Sequence, residues 1–281
     1  MERVWVRAKI RNAPSRGYLV EGGGAFGRPS NACRKRVILR SVDTLGITEK
    51  HRVVQPLIPG VRACVFDAYG TLFDITAAAS HCRNELGDVW HPLADLWQTK
   101  QLQYTWLRSL MATHKDFWHI TSDALDFAMA SLKIKNKALR SRLLELYLHL
   151  DAYPEVPQVL RRLRDSGRRT AILSNGSPQM LTAAVDHAGI APLLDAVISV
   201  EEAGIYKPHP SVYRLAEKHL SLPLKAMSFQ SSNAWDAYAA KRCGFRVIWV
   251  NRFGQIREHL PGKPDAEIAD LGAVPDLLTP V

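Results

Sequence analysis

From Val61 onward, short apolar runs alternate with longer segments whose apolar residues recur every three or four positions. The runs lie at 63–66, 170–173, 196–200, 226–229 and 247–250. Each is too short for a helix and reads as a buried strand. The segments at 156–166, 178–188, 210–219 and 234–243 carry helical spacing. Such alternation predicts an α/β fold, a Rossmann-like parallel sheet core flanked by helices.

One stretch breaks the pattern. Residues 75–154 contain no strand-like run. Their apolar residues sit at helical spacing, as in Leu93, Leu96, Trp97, then Leu102, Trp106, Leu110, then Leu125, Ala128, Met129, then Leu143, Leu144, Tyr147, Leu148. The pattern predicts an inserted helical cap subdomain over 75–154, with the core made of 61–74 and 155–281. A cap there would lie over the strand ends, exclude water and shape a pocket.

Residues 1–60 follow neither pattern. They hold twelve Lys and Arg against four acids, and so carry +8 of the chain's +10. The remaining 221 residues are close to neutral, which removes the charge argument for an acidic partner of the folded part. The extension is Gly-rich and then basic (EGGGAFGRPSNACRKR), and it reads as a disordered tail. No strand and helix bracket its glycines, so a dinucleotide loop is not expected. Neither a secretory leader nor an organelle transit peptide is favoured, and nucleic-acid binding through Arg34-Lys35-Arg36 is not expected. Cys33, Cys64, Cys82 and Cys243 have no metal spacing, and Cys64 sits inside a strand run. A reducing, cytoplasmic compartment is the expectation. No apolar run approaches the ~18 residues of a membrane span.

In open α/β sheets, sites form at the carboxyl ends of strands. The residues to weigh are therefore Asp67, Ser174-Asn175 and Ser231-Ser232-Asn233. Asp67 ends an apolar run in a turn containing Gly70, which would aim its carboxylate into the crevice. An ordinary aspartate is ionised at neutral pH and can serve as a nucleophile. Thr71 is placed to donate a hydroxyl hydrogen bond to it. Lys207, in a stiff Tyr-Lys-Pro turn, is placed to face the same carboxylate.

These residues lie in motifs. DAYGTLFD (67–74), QLQYTWLRSLM (101–111), AILSNGSPQM (171–180), YKPHPSVY (206–213) and SSNAWDA (231–237) occur in order. Together they resemble the type II 2-haloacid dehalogenases of the haloacid dehalogenase superfamily, from Arg62 to about Asp276. The resemblance implies hydrolytic dehalogenation of L-2-haloalkanoic acids to D-2-hydroxyalkanoic acids through an aspartyl ester, with inversion at C2. It implies no metal and no organic cofactor. It makes Asp67 the nucleophile, with Thr71, Lys207, Ser231, Asn233 and Asp236 orienting it and placing water. Ser174 and Asn175 would take the substrate carboxylate and the leaving halide, with Tyr213 nearby. Tyr69, Leu102, Phe117 and Trp235 would line an apolar pocket. The small-molecule haloacid is the expected partner, and pairing through helices into a homodimer is a family habit.

Two departures distinguish this chain, one from the phosphatases and one from the dehalogenases. Phosphatases of the superfamily carry a second Asp two residues after the nucleophile, to protonate a leaving alcohol. Here that residue is Tyr69, and a halide needs no proton to leave. They also hold Mg²⁺ with an acid where this chain has Ser232. The second departure is from the dehalogenases themselves: the cap-helix Arg that seats the substrate is Gln98 here. Two alternatives stay open on sequence. One is a metal-dependent phosphatase or phosphonatase of the same superfamily. The other, kept alive by Gln98, is a catalytically impaired dehalogenase-like binding protein.

Overall fold

The computed structural model describes residues 58–280. The tail expected over 1–60, with Cys33 and the Arg34-Lys35-Arg36 run, lies outside the described residues except for its last three.

Six strands form one parallel sheet: β1 (Ala63–Phe66), β2 (Arg169–Ser174), β3 (Ala196–Ser199), β4 (Met227–Ser231), β5 (Arg246–Val250) and β6 (Ala266–Ile268), in the order β3-β2-β1-β4-β5-β6. Phe66 pairs with Ile172 on one side and Gln230 on the other. All four β1 residues are buried. A strand covered on both faces has no polar side to show, which is why β1 reads as a continuous apolar run. The order reverses direction at β1, so the crevice beyond β1 and β4 is the topological switch point where ligands bind.

Two strands differ from the sequence pattern. β4 runs through Gln230 and Ser231, polar residues that are nonetheless buried between β1 and β5. β6 has three residues with Glu267 at its centre, and only its pairing with β5 makes it a strand.

The insert is helical: α1 (Ala77–His81), α2 (Arg83–Leu86), α3 (Trp90–Leu110), α4 (Phe117–Ser131) and α5 (Lys137–Leu148). The long α3 buries Leu93, Trp97, Gln101 and Thr105, one residue per turn, and packs along α4. Asp116 caps α4, accepting from His119 N–H at 2.9 Å, and Asn136 caps α5 in the same way at 3.0 Å. The two linkers to the core are zipped together. Asp74 N–H donates to Asp151 O at 3.0 Å and Tyr153 N–H to Leu72 O at 2.9 Å. Asp74 also accepts from the Thr76 backbone and hydroxyl. This second acid of the DAYGTLFD turn therefore directs the chain into the cap.

Four further helices pack on the sheet: α6 (Val156–Asp165), α7 (Pro178–His187), α8 (Pro210–Leu220) and α9 (Ala234–Cys243). Among the described residues, no helix is long and apolar enough to cross a membrane.

Candidate active site

Gly70 makes the turn after β1. Its φ is +84°, a conformation that L side chains rarely adopt, and an added Cβ would meet Ser232 Oγ at 3.2 Å. The turn holds Asp67 over the end of β4. The Asp67 N–H still belongs to the sheet, donating to Gln230 O at 2.9 Å, while its carboxylate enters the crevice.

The two oxygens of that carboxylate are treated differently. Oδ2 accepts from Thr71 Oγ1 at 3.1 Å and Asn233 Nδ2 at 3.0 Å, with Ser231 Oγ at 3.5 Å. Oδ1 accepts from Lys207 Nζ alone, at 3.1 Å. Thr71 Oγ1 accepts the Ser232 N–H at 2.8 Å, which leaves its own proton for Asp67. Asn233 is fixed by its backbone, whose N–H donates to Ser231 Oγ at 3.2 Å.

Lys207 is 1% exposed, and its ammonium also donates to Asp236 Oδ2 at 2.9 Å. Burial alone would lower its pKa, but Asp236 and Asp67 more than reverse this, and the ammonium is held above its ordinary value. Burial raises Asp236 against the pull of Lys207. Tyr213 donates to Asp236 Oδ1 at 2.6 Å.

Asp67 and Lys207 floor a narrow cavity of about 40 Å³. Asp67, Lys207, Asn233, Ser174 and Asn175 face it from the core, with Tyr69 and Trp235 at its sides. Gln98, Leu102 and Phe117 reach it from the cap. Tyr69 is seated by Gly176, where any Cβ would stand 2.8 Å from its ring. Its ring is 5.9 Å from Phe117 and stacks on Tyr147 at 5.6 Å. The Tyr69 hydroxyl is buried without a protein partner. Burial, then Tyr147 and Asp67, push its pKa well above the usual tyrosine range, so it is a neutral donor.

Four candidate residues do not line the cavity. Thr71, Ser231 and Asp236 stand behind it, touching Asp67 or Lys207. Tyr213, expected beside the substrate, lies one layer further back, fully buried against Asp236. Ser174 Oγ accepts the Gly176 N–H at 3.1 Å. Asn175 Oδ1 accepts the Lys207 N–H at 3.1 Å, which turns its amide NH₂ away from that bond.

Three wall residues were not among the candidates: Ile75, Gln101 and Tyr147. Tyr147 looked like core in the helical stripe. Gln101 had a signal, since a polar residue at a core-facing position of α3 demands a partner. Its Nε2 donates to Thr121 Oγ1 at 3.0 Å and its Oε1 lies 3.5 Å from the Tyr147 hydroxyl. Among the described residues, Lys207 is the sole cation in the wall. Lys100 lies over the Phe127 ring and donates to Gln103, and Arg108 pairs with Asp123, so neither replaces an arginine at position 98.

The residues present do not fit a divalent cation. Both Asp236 oxygens are taken, the Lys207 ammonium stands between Asp236 and Asp67, and Ser232 Oγ donates to Gly70 O at 2.7 Å. Among the described residues, no group of three or more His, Cys, Asp or Glu could hold a metal.

A buried aspartate whose carboxylate enters the crevice at the switch point of such a sheet, under a helical insert, points to a class. The haloacid dehalogenase-like hydrolase family matches residues 61–244. The (S)-2-haloacid dehalogenase of Pseudomonas sp. (strain YL) is 43% identical over 218 residues, covering 77% of this chain and 94% of that protein. The L-2-haloacid dehalogenase from Xanthobacter autotrophicus, solved with chloropropionic acid covalently bound, superposes with a TM-score of 0.73 at 34% identity, over 77% of this chain and 98% of that one. A dehalogenase solved as an intermediate complex gives a TM-score of 0.77 at 37% identity, over 79% and 99%. The chain therefore belongs to the type II L-2-haloacid dehalogenases of the haloacid dehalogenase superfamily.

Proposed function

We propose that this chain hydrolyses L-2-haloalkanoic acids to D-2-hydroxyalkanoic acids in two steps. The observation that carries the reading is the asymmetric carboxylate of Asp67. Oδ1, with one donor, keeps electron density for attack, while Oδ2 sits among its donors. In the first step Oδ1 bonds to C2 from the face opposite the halogen. The C2–halogen bond breaks, its electron pair leaves with the halide, and C2 inverts. The amide of Asn175 and the tyrosine hydroxyl of Tyr69 are the neutral donors available to that halide.

In the second step water attacks Cγ of the Asp67 ester and gives up a proton that is relayed through the Lys207 ammonium to Asp236, made more basic by burial. The negative charge collects on Oδ2, where Thr71 and Asn233 already point, an oxyanion hole built in advance. The Cγ–Oδ1 bond then breaks. Oδ1 departs with the product and takes a proton from Lys207, which recovers it from Asp236. The Asp67 carboxyl releases its proton to solvent. The names of the relatives, and the covalently bound chloropropionic acid of the Xanthobacter structure, support the same substrate class.

A phosphatase reading lacks support, because Tyr69 occupies the place of the second acid and Ser232 the place of the acid that would hold Mg²⁺. Chloride release from L- and D-2-chloropropionate, with and without EDTA, tests the proposal. The L-enantiomer should release chloride regardless of EDTA, and Asp67→Asn should lose about 10³-fold or more of the rate. A single turnover in ¹⁸O-water should label Asp67 and leave the product unlabelled. No chloride from either enantiomer overturns the reading.

A further inference from the structure

Phe117 is the cap residue that closes the cavity against Tyr69, yet what holds it belongs to the core. Glu201 lies in the turn Val200–Ala203 that follows β3. Its Oε1 accepts the Phe117 N–H at 3.1 Å, and its Oε2 accepts from His114 Nε2 at 2.8 Å. A carboxylate only accepts, so the His114 proton is on Nε2. The N–H groups of a helix's first turn have no partner inside the helix. The local cap Asp116 serves His119 instead. The first residue of α4 is thus held by a side chain from the other subdomain.

Tyr206 closes the clamp from the same core segment. Its hydroxyl donates to Lys115 O, and its N–H donates to Ser109 Oγ at 3.4 Å. Its ring lies 4.9 Å from His114 and 6.2 Å from Phe117. The next residue is Lys207. The segment that supplies the floor's ammonium therefore also fastens the 111–117 loop of the roof.

We infer that Glu201 is a positioning residue for substrate size: it fixes the Phe117 wall over Asp67 and so sets the length of 2-halo acid admitted. This rests on the dehalogenase reading above. Without Glu201, the Phe117 N–H and His114 lose their acceptor, and the wall can yield to a longer chain.

The test compares wild type, Glu201→Ala and Glu201→Gln on L-2-chloropropionate and L-2-chlorohexanoate, with amide hydrogen exchange over residues 111–120. Glu201→Ala should raise KM for chloropropionate about 10-fold with kcat changed less than about 3-fold. It should also raise the hexanoate-to-propionate ratio of kcat/KM about 10-fold. Exchange at Phe117 should quicken. Glutamine keeps one acceptor oxygen for the Phe117 N–H and turns its NH₂ to His114, whose proton moves to Nδ1 so that Nε2 accepts, so Glu201→Gln should stay within about 3-fold of wild type. Should the Ala variant not fold, Glu201→Asp, whose carboxylate stops one methylene short, carries the same expectations. An unchanged size ratio overturns the inference while chloride release keeps the dehalogenase reading. If wild type releases no chloride, that reading falls, and Phe117 exchange alone decides whether Glu201 holds the roof; unchanged exchange overturns it.

Discussion

The floor and the roof of one cavity are built on opposite principles. On the floor, Asp67, Lys207 and Asp236 are all at least nine-tenths buried, and named partners 2.6 to 3.5 Å away hold their charged atoms. On the roof, Leu102, Phe117 and Tyr147 present mainly apolar surface, and Gln98 is neutral where the family resemblance implies an arginine. Buried charge is costly unless every oxygen and proton is satisfied, so the floor tolerates one arrangement. Apolar contact is non-directional, so the roof can change shape by small repacking. The difference separates chemistry from choice of substrate.

Breaking the floor should have the largest effect. Lys207→Met leaves Asp67 and Asp236 buried, facing each other, with no cation between. Removing one partner of a buried pair costs about 3–5 kcal/mol. We expect a lower melting temperature together with a turnover reduced by about 10²-fold or more. An unchanged melting curve would contradict the view that this pair organises the floor.

Restoring a charge to the roof should act in the other direction. A hydrogen bond from a charged donor is worth about 1.5–3 kcal/mol. If it acts in the transition state, Gln98→Arg should speed chloride release about 10- to 150-fold. No gain on any 2-haloacid would mean that position 98 does not contact the reacting substrate. The Glu201 substitutions probe the same roof through its fastening, and their effect on KM should be smaller.

The smallest effect is alkaline, and it sharpens the contrast by separating the sheet from the site. Cys64 in β1 ordinarily titrates near 9.0. Burial pushes it up to about 11, opposed by the Ser228 hydrogen bond and by Arg168. A folded-state pKa above the unfolded one means that the stabilisation is complete below pH 9 and is lost between 9 and about 11. Lys207 stays charged beyond its usual range, so activity in that window should follow unfolding. Denaturant titrations at pH 8 and 10 on wild type and Cys64→Ala would check this. A pH dependence that is identical in the two proteins would remove Cys64 as its cause.

Much of this was legible along the chain, for identifiable reasons. β1 was plain because a strand buried on both faces must be apolar throughout, and Asp67 stood out because it ends such a run inside the DAYGTLFD motif rather than as a lone turn-capping acid. Gln230 and Ser231 disguised the end of β4, since they are polar and buried. β6 was invisible because three residues around Glu267 carry no periodicity. Tyr213 was assigned one layer too far forward: its place in the YKPHPSVY motif fixes its helix, but not which side of Asp236 its hydroxyl reaches.

The sequence by itself determined the α/β alternation and the helical insert, and it singled out Asp67 as the candidate nucleophile and Tyr69 and Gln98 as the two informative replacements. Those follow from residue type and local spacing, which one chain segment can carry alone. Only the tertiary structure decided which oxygen of Asp67 has a single donor and that Lys207 bridges two carboxylates. It alone decided that no neighbouring cation stands in for Gln98, and that Glu201 reaches across to Phe117. Each of those depends on distances between segments far apart in the chain, and periodicity carries no information about such distances.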